Sequence, residues 1–446
     1  MPNDRISFPP GFLWGTATAA HQVEGHNDNN DWWAFEQVPG AIWHGDRSGH
    51  ACNWWRAAEA DFDRMVELNH NTHRLSIEWS RVEPAEGEWD QGAVARYREL
   101  LAGLRERGIE PMVTLHHFTT PLWLARQGGW LNPDSVAHFW RWAGQAVEFF
   151  GDLVRLWCTI NEPAVYAVLG HLFGVHAPGG QGLRNFFAVL RHMLQGHAAA
   201  YRAIHALDGR AQVGLVKNFR LLDPANPDSP LDRFWAWFFD YVFNRIVLRA
   251  IQDGVLLPPL GLGVSPYGPL VDSSDFIGVN YYTRELVAFE PGRGEFLGVR
   301  RFPRPGAEVS DFGQHGTYGE VYPGGMYRAL MRAARLRKPI YITETGLPDA
   351  DDDQRPRFLV THLAQVARAI AAGADVRGFY HWSLLDNFEW SEGWTLRFGL
   401  IAMDEKTGQR AVRPSGRLFA AIARENAITR ELVEQHAPEV SNIYHR

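Results

Sequence analysis

The chain has 446 residues, 46% of them apolar, and a formal net charge of −7; a large core is available, and the dispersed charges offer no basic stripe to nucleic acid. Two cysteines, Cys52 and Cys158, make no disulfide framework, which suits a reducing compartment. The start, Met1-Pro2-Asn3-Asp4-Arg5, leads into no signal-peptide pattern, and no apolar run approaches the ~18 residues of a membrane span, so a cytoplasmic location is expected. Length alone allows two or three domains, but a single α/β barrel with insertions also reaches this size.

Short apolar runs rich in β-branched and aromatic residues alternate with longer helical patterns, as in a parallel sheet closed by crossover helices. The predicted strands are Phe12–Thr18, His73–Trp79, Pro111–His117, Leu156–Glu162, Val213–Phe219, Phe276–Tyr282, Ile340–Glu344 and Gly378–Leu384. Asp90–Arg107 has a helical pattern ended by Gly108. Asn132-Pro133-Asp134-Ser135 is a helix-start signal, followed by an amphipathic run to Phe150 and a stop at Gly151. Two Pro/Gly-rich stretches, Gly254–Ser274 and Pro291–Gly319, read as insertions in barrel loops rather than linkers. The acidic run Asp349–Asp353, interrupted by Ala350, reads as a solvated loop. Eight strands and their helices predict one (β/α)₈ barrel over residues 1–446, with extended loops at the C-terminal face of the strands.

Two strands end in a carboxylate. Leu156-Trp-Cys-Thr-Ile-Asn-Glu-Pro163 raises Glu162, and Pro339-Ile-Tyr-Ile-Thr-Glu-Thr-Gly346 raises Glu344 before Gly346 turns the chain. A buried charge is expensive unless paired or used, and active sites of such barrels sit at the C-terminal strand ends. Both glutamates therefore face one mouth, where paired carboxylates serve acid/base and nucleophilic chemistry; a structural ion pair is the plainer alternative for either one alone. The 18 tryptophans add apolar faces suited to stacking on sugar rings. His116-His117 invites a metal reading, but adjacent strand residues point to opposite faces and no third ligand is spaced with them. No metal and no cofactor are expected.

Thr159-Ile-Asn-Glu-Pro163 and Ile342-Thr-Glu-Thr-Gly346 resemble the two signatures of glycoside hydrolase family 1, the retaining β-glucosidases and β-galactosidases. Phe12-Leu-Trp-Gly-Thr-Ala-Thr-Ala-Ala-His-Gln-Val-Glu-Gly25 resembles its N-terminal signature, and Trp382-Ser-Leu-Leu-Asp-Asn-Phe-Glu-Trp390 its C-terminal sugar-binding segment. The resemblance implies a double displacement with Glu344 as nucleophile and Glu162 as acid/base, the carboxyls roughly 5–5.5 Å apart. It implies that Arg74 and Tyr282 keep Glu344 ionised. Gln22, His117, Asn161, Asn280, Glu389 and Trp390 match sugar-binding positions, with Trp382 as the stacking floor. The substrates so implied are β-linked glucosides, with galactosides and fucosides as side activities, and related oligosaccharides or aryl and alkyl glycosides. Thr345 departs from the Asn that commonly follows the nucleophile. Glu389 disfavours a 6-phosphate, and Glu162 is not the Gln of thioglucosidases. The alternatives carried forward are a non-catalytic sugar-binding relative on the same barrel and a 6-phospho-β-glycosidase. The loops His171–Gln181 and Gly313–Gly319 are expected to shape the outer pocket.

Overall fold

Eight strands lie parallel in a closed ring: β1 (Leu13–Ala17), β2 (Thr72–Ser76), β3 (Glu110–His116), β4 (Leu156–Asn161), β5 (Gln212–Asn218), β6 (Phe276–Asn280), β7 (Ile340–Thr345) and β8 (Val376–Trp382). Consecutive strands pair, and β8 returns to β1 to close the barrel. The computed structural model describes residues 4–261, 269–293, 296–314 and 316–445. Every residue of β2, β4, β6 and β7 is buried, because helices cover the outside of the barrel and side chains fill its inside; strands in that setting read as unbroken apolar runs.

The crossover helices follow from their caps and stripes. Asp90 accepts from the N–H groups of Gly92 and Ala93 and opens α1 (Gln91–Glu106), a cap worth about 1 kcal/mol. In α2 (Ser135–Phe150) the residues Val136, Phe139, Ala143, Ala146, Val147 and Phe150 form one buried stripe, with the spacing of an amphipathic helix. It packs along α3 (Leu183–Leu207). No described helix is long and apolar enough to cross a membrane.

Seven of the eight strands stop short of their predicted C-terminal ends, while β7 runs one residue past its own, to Thr345. β2 ends at Ser76 and Trp79 already begins a helical turn; β6 ends at Asn280, β8 at Trp382. The residues beyond leave the hydrogen-bond ladder to face the mouth. Register shifts mark the same places: β4 slips against β5 between Cys158 and Asn161, and β7 slips against β6 between Ile342 and Glu344. An extra residue in one strand bends it and re-aims its side chains, and these are the strands that lead to Glu162 and Glu344.

The stretch read as the Pro291–Gly319 insertion is partly ordered sheet. Val299–Phe302 pairs antiparallel with Arg284–Phe289, which also runs parallel to Leu221–Pro224. Gly294, Glu295 and His315 lie outside the described residues, as do positions 262–268 of the Gly254–Ser274 stretch.

The acidic run corrects its sequence reading. Asp349 and Asp352 are buried, not solvated. Asp349 Oδ2 accepts from the N–H groups of Gln354 and Arg355 at 3.0 and 2.7 Å, capping α6, the helix Arg355–Ala371, here numbered after α4 (Pro230–Asp240) and α5 (Pro323–Ala333). Asp352 meets the Arg355 guanidinium and Ser415. Charge density alone hides such local pairing, in which a short acidic side chain satisfies helix N–H groups.

Candidate active site

Glu344 sits on β7, 4% exposed. Arg74 Nη1 donates to its Oε1 at 2.6 Å, and the Tyr282 hydroxyl donates to its Oε2 at 2.7 Å. Arg74 is itself fully buried on β2, with Nε on Thr114 Oγ1 at 3.0 Å and Nη2 on Asn161 Oδ1 at 2.8 Å. Three strands thus pin one guanidinium, and it opposes a fixed positive charge to the carboxylate.

Glu162 follows β4 and takes φ 48°, ψ 59° as the residue before the helix Pro163–Ala167. The left-handed region costs a non-glycine residue about 1–3 kcal/mol and persists where the surroundings over-determine it. Phe118 (φ 71°), next to His117, and Trp390 (φ 51°) share the feature. Glu162 Oε1 accepts from Asn280 Nδ2 at 2.7 Å and from Asn218 Nδ2 at 2.9 Å. Asn280 in turn takes the Thr343 hydroxyl on its Oδ1 at 2.7 Å, which fixes which end of the amide faces Glu162. Burial first, then the charge of Glu344, push the Glu162 carboxyl up to about 7, while the two amides pull it part of the way back.

The remaining sequence-predicted residues join the same network. His117 Nε2 lies 3.2 Å from Asn161 Nδ2 and 4.0 Å from Glu344 Oε1. Burial, and then Arg74, hold His117 well below the usual histidine range, so it is neutral; with Nε2 accepting from Asn161, its proton sits on Nδ1, which finds no protein partner. Its ring stacks between Trp382 (5.8 Å) and Trp390 (6.1 Å). Gln22 Nε2 donates to Asn387 Oδ1, the Phe388 carbonyl and Glu389 Oε2, while its Oε1 is buried without a partner. Burial and Glu344 push Glu389 up to about 8, so this carboxyl is protonated at neutral pH, unlike the carboxylate read from sequence. His116 goes the other way, its Nε2 accepting from Trp130 Nε1 at 3.0 Å among the covering helices. Among the described residues the one acidic group close enough to hold a metal ion is Asp349, Asp351 and Asp353, outside this network, with two of its three members exposed.

All eleven predicted residues converge on one mouth, where a pinned carboxylate faces a carboxyl that keeps its proton near neutrality. Gln22 Oε1 and His117 Nδ1 are buried there with no protein partner among the described residues, so their hydrogen bonds are open to water or a ligand. The model of glycosyl hydrolase family 1 matches residues 4–428. The chain belongs to glycosyl hydrolase family 1. It is 32% identical to Beta-glucosidase A of Thermotoga maritima, over 94% of this chain and 98% of that one. It is 30% identical to a Beta-galactosidase of Pyrococcus woesei, over 96% and 99%. The solved β-glycosidase from Pyrococcus horikoshii superposes with a TM-score of 0.88 at 39% identity, covering 98% of this chain and 100% of that one. The family 1 fold is therefore shared from end to end.

Sequence reasoning missed three residues of this family 1 site. Asn218, at the end of β5, bonds Glu162, and the rule that strand ends carry function was enough to find it. Tyr318 packs edge-on against Tyr282 (5.6 Å) and Phe398 (5.2 Å) and senses the charges of Glu389, Glu162 and Glu344. It follows the hairpin Phe312–Gly313 with Gly316–Thr317, inside the Gly313–Gly319 loop expected to shape the outer pocket, though the residue itself was not singled out. Lys217, the neighbour of Asn218, carried no signal beyond lying in a strand.

Proposed function

We propose that this chain hydrolyses β-glycosides with retention of configuration, Glu344 acting as nucleophile and Glu162 as acid/base, with β-glucosides as main substrates. The observation that carries the reading is the opposite treatment of two carboxyls at one mouth. Glu344 accepts hydrogen bonds from Arg74 and Tyr282, which fix its oxygens at the mouth beside a buried guanidinium, while Glu162 is held up to about 7 by burial and by Glu344. Such a pair divides naturally into a nucleophile and a proton donor. Attack of Glu344 on the anomeric carbon breaks the glycosidic bond, and the leaving oxygen takes the Glu162 proton. The glycosyl ester has removed the charge of Glu344, so Glu162 can then stay ionised and draw a proton from the incoming water. Water attacks from the face the leaving group vacated, which restores the β configuration.

In this reading Trp382 supports the sugar ring, while Gln22 Oε1, His117 Nδ1, Asn161, Asn280, Glu389 and Trp390 meet its hydroxyls. The names of the relatives include both a beta-glucosidase and a beta-galactosidase, which fits a pocket whose Glu389 can donate or accept. The test is chemical rescue of Glu344→Gly. Turnover is expected to vanish with the fold intact, and added azide to restore it with α-glycosyl azide as product. A β-glycosyl azide would reverse the two roles, and an α-sugar as the first product of the wild-type chain would sink retention.

A further inference from the structure

Lysine is rare in this chain: of its 44 basic residues three are lysines, Lys217, Lys338 and Lys406, and only Lys217 is fully buried, at 1% exposure on β5. Burying an ammonium is costly unless its charge is met, yet Lys217 contacts no carboxylate among the described residues. Its Nζ donates to Asn244 Oδ1 at 3.1 Å and to the carbonyl of Asn218, and lies over the rings of Phe243 (4.4 Å) and Phe219 (5.5 Å). Asn218 is the residue whose side-chain amide holds Glu162 Oε1. On the far side, Asn244 Nδ2 donates to the Arg220 carbonyl at 2.7 Å and to Asp240 Oδ1 at 2.9 Å. Asp240 is gripped by Arg332 of α5 and by Arg245, so its charge is already spent.

We propose that Lys217 is a positioning residue for the acid/base Glu162, clamping the Asn218 backbone so that its amide meets Glu162 and supplying the positive charge that the ionised form of Glu162 needs. Every charged group that acts on the ammonium is in view: Glu162 from β4, Asp240 from α4 and Arg332 from α5. The first and third oppose each other and Asp240 is neutralised by its arginines. Glu162 is the strongest of the three charges and Lys217 lowers Glu162 in return. Burial brings the ammonium down to about 7, near the value to which Glu162 is raised, so a charge gained or lost on one is felt by the other. When Glu162 loses its proton, Lys217 gains in proton affinity, and the site never holds an isolated buried anion. During hydrolysis of the glycosyl-enzyme, when Glu162 is the base, the cation beside Asn218 is what supports it.

This inference rests on the assignment of Glu162 as acid/base, and its test separates the two. Lys217→Met keeps the length of the side chain without the charge, and replacing a buried charge by an apolar isostere is often neutral or stabilising. The kcat/KM of the variant on an aryl β-glucoside with a poor leaving group should keep its acid limb, while its alkaline limb should move to higher pH by about half a unit or more. The same link is read in the unmutated enzyme by NMR of lysine labelled at the ε-carbon, where Lys338→Arg and Lys406→Arg assign the third signal to Lys217. Trapping the enzyme with a 2-deoxy-2-fluoro-β-glucoside neutralises Glu344, lets Glu162 ionise at lower pH, and should raise the midpoint of the Lys217 signal. A working glycosidase in which the alkaline limb or the Lys217 midpoint stays put overturns the inference alone. A chain that forms no fluoroglycosyl adduct and turns over no β-glycoside overturns the function on which it rests.

Discussion

Glu389 shows how a pocket can change the meaning of a residue. By sequence it is an acid aimed at two sugar hydroxyls; in the fold, burial and Glu344 raise it to about 8, so at neutral pH it donates one hydrogen bond and accepts others. Gln22 Nε2 donates to its Oε2 at 3.2 Å, and Trp382 bonds the same carboxyl. A group with both roles can serve the 4-hydroxyl in either orientation, so glucosides and galactosides should both react. Glu389→Ala strands sugar hydroxyls in a buried site, a loss of about 1–3 kcal/mol, or roughly 5- to 150-fold in kcat/KM. The loss on β-fucosides, which have no 6-hydroxyl, should be smaller. Parallel kcat/KM values for aryl β-glucoside, β-galactoside and β-fucoside decide it, and equal losses on all three would mean that Glu389 supports the pocket without reading the sugar.

Strands carry the site, and their ends carry its precision. Gly346, just past β7, has no room for a Cβ, which would collide with the Trp382 carbonyl oxygen at the end of β8 and crowd Phe398. Gly346→Ala must therefore part the two strand ends that position Glu344 and Trp382. Overpacking of this kind costs about 1–3 kcal/mol, so the melting temperature and kcat should fall together; a variant with wild-type values of both would show that the ends can separate freely. The eight strands and both helices examined by pattern were legible in the sequence because each is a long apolar run or an amphipathic stripe, and periodicity survives without tertiary context. What did not survive was the last one to three residues of every strand but β7. Ile77 and Glu78 are as apolar-flanked as the ladder before them, but the chain leaves β2 at Ser76 to open the mouth. The shifts in β4 and β7 depend on pairing with neighbours far along the chain, which no window of sequence contains. Asp349 and Lys217 were illegible for a different reason: their partners lie close by in the sequence, but only the fold turns the N–H groups of Gln354 and Arg355 and the Asn218 carbonyl at the end of β5 towards them.

Across the whole molecule, two populations of buried ionisable groups bend stability in opposite directions with pH. Nine buried histidines are held low by desolvation: His70, His116, His197 and His381 at about 3, His171 and His362 at about 4, His73 and His117 also well below the usual range, and His192 below it. Unfolded, they bind protons near 6.5, so below that pH the unfolded chain takes up protons that the folded chain refuses, and stability is lost as pH falls. Asp223, Asp240 and Glu285, kept low with the help of their arginines, add to the loss at the acid end. Asp31 and Glu162 at about 7, Glu389 at about 8 and the raised Glu24 act the other way. Their stabilisation is complete below the unfolded carboxylate value and is lost as pH rises through the folded one. Between about pH 4.5 and 6.5 the histidines outweigh the raised carboxyls, Asp349 at about 6 among them, and stability climbs. Above about 6.5 the histidines fall silent and the carboxyls pull it down until about pH 8. They are opposed by Lys217, whose ammonium is held down to about 7 and returns stability as pH rises further. The melting temperature should therefore peak between about pH 6 and 7 and decline more steeply on the acid side. Glu389→Gln, which holds the same hydrogen bonds without a proton to lose, should flatten the alkaline decline while leaving the acid one as it was. Melting curves from about pH 4 to pH 8 test both statements: a melting temperature still climbing between about pH 7 and 8 would contradict the assignment of the raised carboxyls, and an unaltered alkaline slope in Glu389→Gln would remove Glu389 from among them.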